Sequence, residues 1–219
     1  MILPKRLNKI AELIEDDVVV IDVGCDHALL DIYLTLNRNN VFCYACDIKE
    51  SALEIAKKNI NKYKLDNKIE VRCCDGISDL EINNNTIIVI SGMGKSTIMH
   101  ILDDDRVYNA RRIIIQSNNE IEDLRNDMIN KGFCIDNEVV SFDRNKYYVI
   151  ISFKKGNKKY SNDELYLGPI LIKNNKENSD YFKFLLEKEK NILGTIPSKY
   201  VDIRKNIEKN IEKIMQLLK

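Results

Sequence analysis

A chain of 219 residues supplies enough material for one full domain and a smaller second element. With 44% hydrophobic and 31% charged residues it reads as globular rather than disordered, and three prolines and eight glycines leave little room for long flexible linkers. The 34 basic and 34 acidic side chains cancel overall but not locally: residues 154–219 hold 15 Lys and Arg against 9 Asp and Glu, which makes this segment basic and the remainder acidic.

In chain order, the first thirteen residues interleave Lys5, Arg6 and Lys9 with apolar positions and lack the continuous hydrophobic stretch of a secretory signal. No apolar run approaches the roughly 18–20 residues that span a bilayer, so a cytoplasmic protein without a membrane partner is expected. Five short apolar segments follow: VVVIDVG (18–24), VFCYACDI (41–48), IEVRCCDG (69–76), TIIVISGMG (86–94) and RIIIQSN (112–118). They are too short and too evenly apolar for amphipathic helices and suit strands covered on both faces of a parallel sheet. Helical spacing lies between them, in Ile48, Ala52, Ile55, Ala56 and Ile60, and again in Ile121, Leu124, Met128 and Ile129, closed by Gly132. Alternation of this kind gives right-handed βαβ units and a doubly wound sheet.

Beyond Gly132 the rhythm changes. FCIDNEVVSFDR and KYYVIISFKK flank a short polar turn at 143–146 with no helix between them, which predicts an antiparallel pair. The expected fold is α/β: a class I, Rossmann-like sheet of seven strands, mostly parallel, over residues 1–160. Residues 161–219 follow as a C-terminal helical hairpin of coiled-coil character. The Gly168-Pro169 step marks a boundary. Helices are expected over 178–193, with Tyr181, Phe182, Leu185, Leu186 and Ile192 inward, and over 198–219, with Tyr200, Val201, Ile207, Ile211, Ile214, Met215 and Leu218 in a stripe. Gly194 and Pro197 break the chain between them.

Of six cysteines, Cys43 and Cys46 form a C-x-x-C, but on a strand residues three apart face opposite sides. That spacing argues against a metal or redox pair, so buried free thiols are expected and no metal site.

The chemistry concentrates at the strand ends. Asp22-Val23-Gly24-Cys25-Asp26-His27 closes the first strand with a single glycine where dinucleotide proteins carry G-x-G-x-x-G, and with acids that repel a pyrophosphate. Two carboxylates suit a cationic ligand, the ammonium and sulfonium of S-adenosylmethionine; Asp26 equally suits a helix N-cap. Asp47-Ile48 ends the second strand, where an acid accepts both ribose hydroxyls. Asp75-Gly76 ends the third, where class I methyltransferases commonly bind the adenine edge of the cofactor, and Ser91-Gly92-Met93-Gly94 ends the fourth, beside the place where the methyl group would be presented.

These residues, with RLNKIAELI, DIKESALEIAKKNI, DGISDLE, LRNDMINKGF and ELYLGP, resemble the bacterial tRNA (adenine(22)-N1)-methyltransferases, the TrmK family, over nearly the whole chain. The resemblance implies methyl transfer from S-adenosylmethionine to N1 of an adenine in tRNA. It departs from the family at Lys95, where G-M-G-G is usual, and at Ser117, where Q-P-N is usual. With that activity, Met93, Gly94, Gln116 and Asn118 are expected to shape the base site. Asp26 is the candidate to receive a proton or stabilise the product's charge. The basic hairpin, with Lys183, Lys188, Lys199 and Arg204 among its cations, is expected to hold the tRNA backbone. A monomer is expected. A methyltransferase for protein or small molecules, a nicotinamide enzyme and a non-catalytic RNA-binding module are the alternatives. The absence of any proline between Pro4 and Pro169 removes the N-P-P-Y motif of exocyclic-amine enzymes and the Pro-Cys motif of pyrimidine enzymes.

Overall fold

The computed structural model describes residues 1–219 and contains two compact units, Met1–Lys159 and Tyr160–Lys219. No helix is long and apolar enough to cross a membrane. In the first unit the five apolar runs form β1 (Val19–Val23), β2 (Phe42–Asp47), β3 (Ile69–Cys73), β4 (Thr86–Met93) and β5 (Arg112–Ser117), joined by the antiparallel pair β6 (Phe133–Asp143) and β7 (Lys146–Lys155). The sheet order is β3-β2-β1-β4-β5-β7-β6, with the first five strands parallel. β1 and β4 are buried along nearly their whole length, as expected of strands covered on both faces.

Helices α1 (Lys5–Glu12), α2 (Leu29–Asn37), α3 (Glu50–Tyr63), α4 (Lys95–Ile101) and α5 (Ile121–Asn130) complete the unit. α1 packs on α2 and also reaches β6 and β7, so it ties the two edges of the chain's first and last sheet segments together. Gly132 follows the end of α5 with φ +85°, the left-handed geometry that stops a helix. The strand order reverses between β1 and β4. At such a switch point the flanking connections leave to opposite faces, opening a crevice at the strands' carboxyl ends.

In the second unit, α6 (Asn162–Leu167) and α7 (Pro169–Lys173) flank the Gly-Pro boundary as two short helices. α6 opens on a capping box of Ser161 and Glu164, and α7 starts with Pro169. α8 (Ser179–Thr195) and α9 (Val201–Leu217) then pack antiparallel: Arg204 near the start of α9 donates to the Leu193 and Ile196 carbonyls at the end of α8, while Asn175, just before α8, donates to the Leu217 carbonyl. Gly194 does not break α8, which runs through it to Thr195. A two-helix seam is narrow, so the expected stripes are only partly buried. Tyr181, Phe182, Ile207 and Ile214 are inside, while Ile192, Tyr200, Val201 and Met215 are exposed.

One ion pair is sealed into the first unit. The Arg125 guanidinium on α5 donates to Glu138 on β6 at 2.8 Å, and both side chains are at most 1% exposed. Removing one partner strands a charge away from water, at a cost of about 3–5 kcal/mol. Arg125→Met or Glu138→Leu should each lower the urea midpoint by that equivalent, and the double variant should recover much of the loss. A double variant as unstable as the sum of the singles would refute the pairing.

Candidate active site

Register places the functional turns in one row. Val23 lies opposite Cys46 on β2 and Ile90 on β4, while Asp47 lies opposite Cys73 and Ser91 opposite Gln116. Gly24, Asp47, Cys74 and Ser91 therefore emerge along the same edge. There they border a cavity of about 1140 Å³, larger than the roughly 300–1000 Å³ of an ordinary small-molecule site.

The turn after β1 is set by backbone bonds. The Gly24 and Cys25 amides both donate to the Cys46 carbonyl, at 2.8 and 2.9 Å, and Gly24 sits at φ +76°. That left-handed backbone favours glycine, and a Cβ there would also displace the mobile terminal methyl of Met93. Asp26 and Ala28 are also left-handed, at φ 51° and 54°, an uncommon conformation for side-chain-bearing residues. Asn59 on α3 donates to the His27 carbonyl at 3.0 Å and steadies this strained bend. The N-cap of α2 is Ala28, with no side-chain cap bond. Asp26 is therefore not the cap. Its carboxylate projects into the cavity, 3.6 Å from the imidazole of His27.

Around the rim, the Asp47 carboxylate accepts the Lys49 amide at 2.9 Å, and Ile48 stands 63% exposed beside it. An apolar side chain left in solvent at a cavity wall suits a flat ring. Asp75 lines the wall next to Gly76, whose added Cβ would press on Ile101 at 3.1 Å. On the β4 side, Ser91 donates to the Gln116 side-chain oxygen at 3.3 Å, and the Asn118 amide donates to the Gly92 carbonyl at 2.7 Å.

Gly24, Asp26, His27, Asp47, Ile48, Asp75, Gly76, Ser91 and Gly92 all line the cavity, as do Met93 and Asn118. Three expected site residues of the first unit do not. Asp22 is buried one residue inside β1, where its side chain turns toward α2 instead of the turn. Gln116 is fully buried and spends its amide on the Ser117 carbonyl and Asn118 Oδ1, so it organises the β5 turn from beneath. Gly94 is the N-cap of α4, where a Cβ would touch Asn119 Oδ1 at 3.4 Å. Lys183, Lys188, Lys199 and Arg204 belong to the second unit. Lys183 is paired with Asp180, Lys199 lies over the Tyr200 ring, and Arg204 closes the α8–α9 turn.

Several cavity residues escaped the sequence reading, above all Arg6, Arg144, Lys146 and Tyr148. The Arg6 guanidinium donates to Gln116 Oε1 at 2.6 Å, lies 3.1 Å from where a Gly92 Cβ would stand, and sits 5.4 Å from the centre of the Tyr148 ring. The amphipathic run KRLNKIAE and the adjacent tyrosines after the 143–146 turn were visible signals. Their meeting, more than a hundred residues apart, was not.

Cys43 and Cys46 are both buried and unbridged, and Cys43 approaches the Asp31 carbonyl whereas Cys46 lies against Cys74. Burial pushes the Cys25, Cys43 and Cys46 thiols up, so they pack as protonated, unreactive groups.

Beneath the turn, Asp22 and the fully buried Asp31 of α2 come within hydrogen-bond reach of each other, and neither Asp31 oxygen finds a well-aligned donor elsewhere. Two carboxylates bond only with a proton between them. Burial first, and for Asp22 the neighbouring Asp31 second, raise both above the usual carboxylate range; Arg6 pulls Asp22 the other way. A raised carboxyl lends stability that is complete below its ordinary value near 4 and is lost as pH rises through the raised one. Asp31→Asn should therefore stabilise relative to the parent increasingly from pH 5 to pH 8, by urea titration at each pH. A difference that does not change with pH would contradict the shared proton.

A doubly wound sheet ending in an antiparallel pair, with acids and glycines along its switch-point edge, defines a class I S-adenosylmethionine-dependent methyltransferase. The methyltransferase-domain family model matches residues 3–151. The Bacillus subtilis tRNA (adenine(22)-N(1))-methyltransferase is 30% identical over 179 residues, spanning 78% of this chain and 75% of that protein. Streptococcus pneumoniae Sp1610 in complex with S-adenosyl-L-methionine superposes with a TM-score of 0.86 at 27% identity, covering all of both chains. Mycoplasma capricolum TrmK in complex with S-adenosyl-homocysteine does so with a TM-score of 0.79 at 28% identity, over 100% of this chain and 98% of that one. The chain belongs to the tRNA (adenine(22)-N(1))-methyltransferase (TrmK) family.

The residues present fit the cofactor: the left-handed Gly24 keeps the backbone of the turn open to a ligand, and Asp26, Asp47 and Asp75 line the same cavity, where they would oppose its positive charge and hydroxyls. Asp47→Ala should weaken S-adenosylhomocysteine about 10–100-fold by calorimetry, the loss of charge-assisted hydrogen bonds. Gly24→Ala should cost at least about tenfold from the left-handed backbone alone. Parent-like affinity in Asp47→Ala would remove it from the ribose site.

Proposed function

We propose that this chain works in the cytoplasm as a tRNA methyltransferase that modifies N1 of adenine 22. The observation that carries the reading is that one cavity is lined both by the acids of the switch-point turns, its acidic lobe in this reading, and by Arg6, Asn118 and Tyr148, its second lobe in this reading. Bound in the acidic lobe, S-adenosylmethionine supplies a methyl group on a positively charged sulfur.

Adenine N1 is unprotonated at neutral pH, and its lone pair needs no prior activation. The protein's tasks are in-line alignment and exclusion of water. Met93, packed on Gly24 at the junction of the lobes, and the Gly92–Asn118 bond are positioned to set that alignment. Methylation leaves a cationic base that is neutralised when the N6 amino group loses a proton. Asp26, held by the strained turn rather than consumed in capping, is the carboxylate placed to stabilise that charge or take the proton. A base-paired adenine hides N1, so the nucleotide leaves its stack before reaction. On the second unit, Lys188 and Lys199 are the cations of the expected tRNA set free of acidic partners, whereas Lys183 is in a pair and Arg204 is tied to carbonyls.

Mass spectrometry of nucleosides from tRNA incubated with protein and cofactor should show N1-methyladenosine, mapped to position 22. Transfer into protein or small molecules with none into tRNA would overturn the reading. Asp26→Asn should lower kcat by about 10²-fold, the scale of general acid–base catalysis, a larger loss than any in S-adenosylhomocysteine affinity. Full turnover would exclude Asp26 as acceptor.

A further inference from the structure

Charge within the cavity is largely sorted by position. The walls at the ends of β1, β2 and β3 carry Asp26, Asp47 and Asp75, with Lys49 the cation among them, whereas α1 and the β6–β7 turn carry Arg6, Arg144 and Lys146, with Asp143 the acid among them. Arg144 and Lys146 are exposed and in no ion pair. On the second unit some cations are likewise free of acidic partners, Lys188 and Lys199 among them, while Lys183, Lys190 and Lys213 each face an acid.

The turn itself is costly. Asp143 pairs with Lys146, leaving Arg144 and Asn145 as a two-residue link at φ 49° and 61°. That left-handed pair favours Asn-Gly, and an arginine at its first position is an unfavourable choice for folding. Aromatic rings surround the cations: Phe142 and Tyr147 are 4.7 Å apart, and Tyr148 is held under the Arg6 guanidinium. Basic side chains interleaved with aromatic rings are the means by which proteins grip single-stranded nucleic acid, the cations on phosphates and the rings on bases.

We propose that the β6–β7 turn is an RNA-gripping lip, in which Arg144 and Lys146 hold the phosphates flanking the extruded nucleotide and Tyr148, braced by Arg6, is the wall on which its base stacks. The proposal rests on the tRNA reading above and names where, on the catalytic unit, the RNA is held.

Arg144→Gly/Lys146→Ala tests the lip without weakening the fold, because glycine suits the turn better than arginine. The melting temperature should not fall, and S-adenosylhomocysteine affinity should stay within about twofold. KM for tRNA should rise about tenfold, and the slope of log affinity against log salt should flatten by about 1.5, two phosphate contacts' worth. Tyr148→Ala should lower kcat/KM for tRNA about 10–100-fold, and Tyr148→Phe, which keeps the ring, should restore most of it. Parent-like KM and salt slope in the double variant, with the parent methylating tRNA, would overturn the lip and leave the function standing. Loss of S-adenosylhomocysteine affinity in step with tRNA affinity would overturn it too, by showing a general disturbance of the cavity. A parent protein that binds S-adenosylhomocysteine but methylates no tRNA would remove both.

Discussion

The site depends on one backbone arrangement: the Cys46 carbonyl accepting both the Gly24 and Cys25 amides at the end of β1. This double bond stops the first strand level with the second and swings the chain into a left-handed bend. The bend exposes the Gly24 backbone, which takes the Met93 methyl against it, and turns Asp26 and His27 toward the cavity rather than into the N-terminus of α2. Parallel register then carries the effect sideways, so Asp47, Asp75 and Ser91 arrive at the same rim without any contact between them. The energetic burden of two left-handed residues with side chains, Asp26 and Ala28, is carried by the buried sheet below, whose central strands are almost inaccessible to solvent.

Electrostatics divides that rim by function. A cationic ligand and a polyanionic one must approach the same reaction centre, and a uniformly charged cavity would repel one of them. Acids at the switch-point turns and cations on α1 and the β6–β7 turn resolve the conflict by distance. Arg6 connects the two regions. It bonds to Gln116 under the β5 turn, lies over Tyr148, and its charge opposes that of the buried Asp22 behind the β1 turn. Burial disfavours charge on Asp22 and Asp31 beneath the turn, which gives the exposed acids the larger part in setting the potential of the cavity.

Most of the sheet was legible because burial on both faces writes itself as uniform apolar runs, and the switch to an antiparallel pair as the loss of a helix between β6 and β7. The acids and glycines at the strand ends could be read for the same reason, since a strand's end can be counted to within a residue or two. Asp22 shows the limit of that counting: two positions before Gly24 is enough to move a side chain from a cavity wall to the interior. Gly194 shows another limit, as packing against α9 outweighs the roughly 1 kcal/mol helix penalty of a single glycine. Arg6 and Tyr148 were not legible as a pair because only the tertiary fold brings α1 onto β7. No local pattern encodes that contact.

The two departures from the family's motifs are absorbed by local bonds that keep the rim's shape. Lys95, where a glycine is usual, sends its ammonium away from the cavity to Asp127 at 2.9 Å, while its amide donates to Asn119. Ser117 stands where a proline would stiffen the turn after β5. Its hydroxyl donates to the Asn119 carbonyl at 2.7 Å, and the Asn118 amide is fixed on the Met93 carbonyl at 2.8 Å. A covalent restraint on φ is thus replaced by hydrogen bonds that hold the same short segment. Asn118 meanwhile reaches the Gly92 carbonyl at 2.7 Å and ties the β5 turn to the end of β4. What these motifs specify is therefore the path of the backbone past the reaction centre, and different side chains suffice wherever that path is secured by other means.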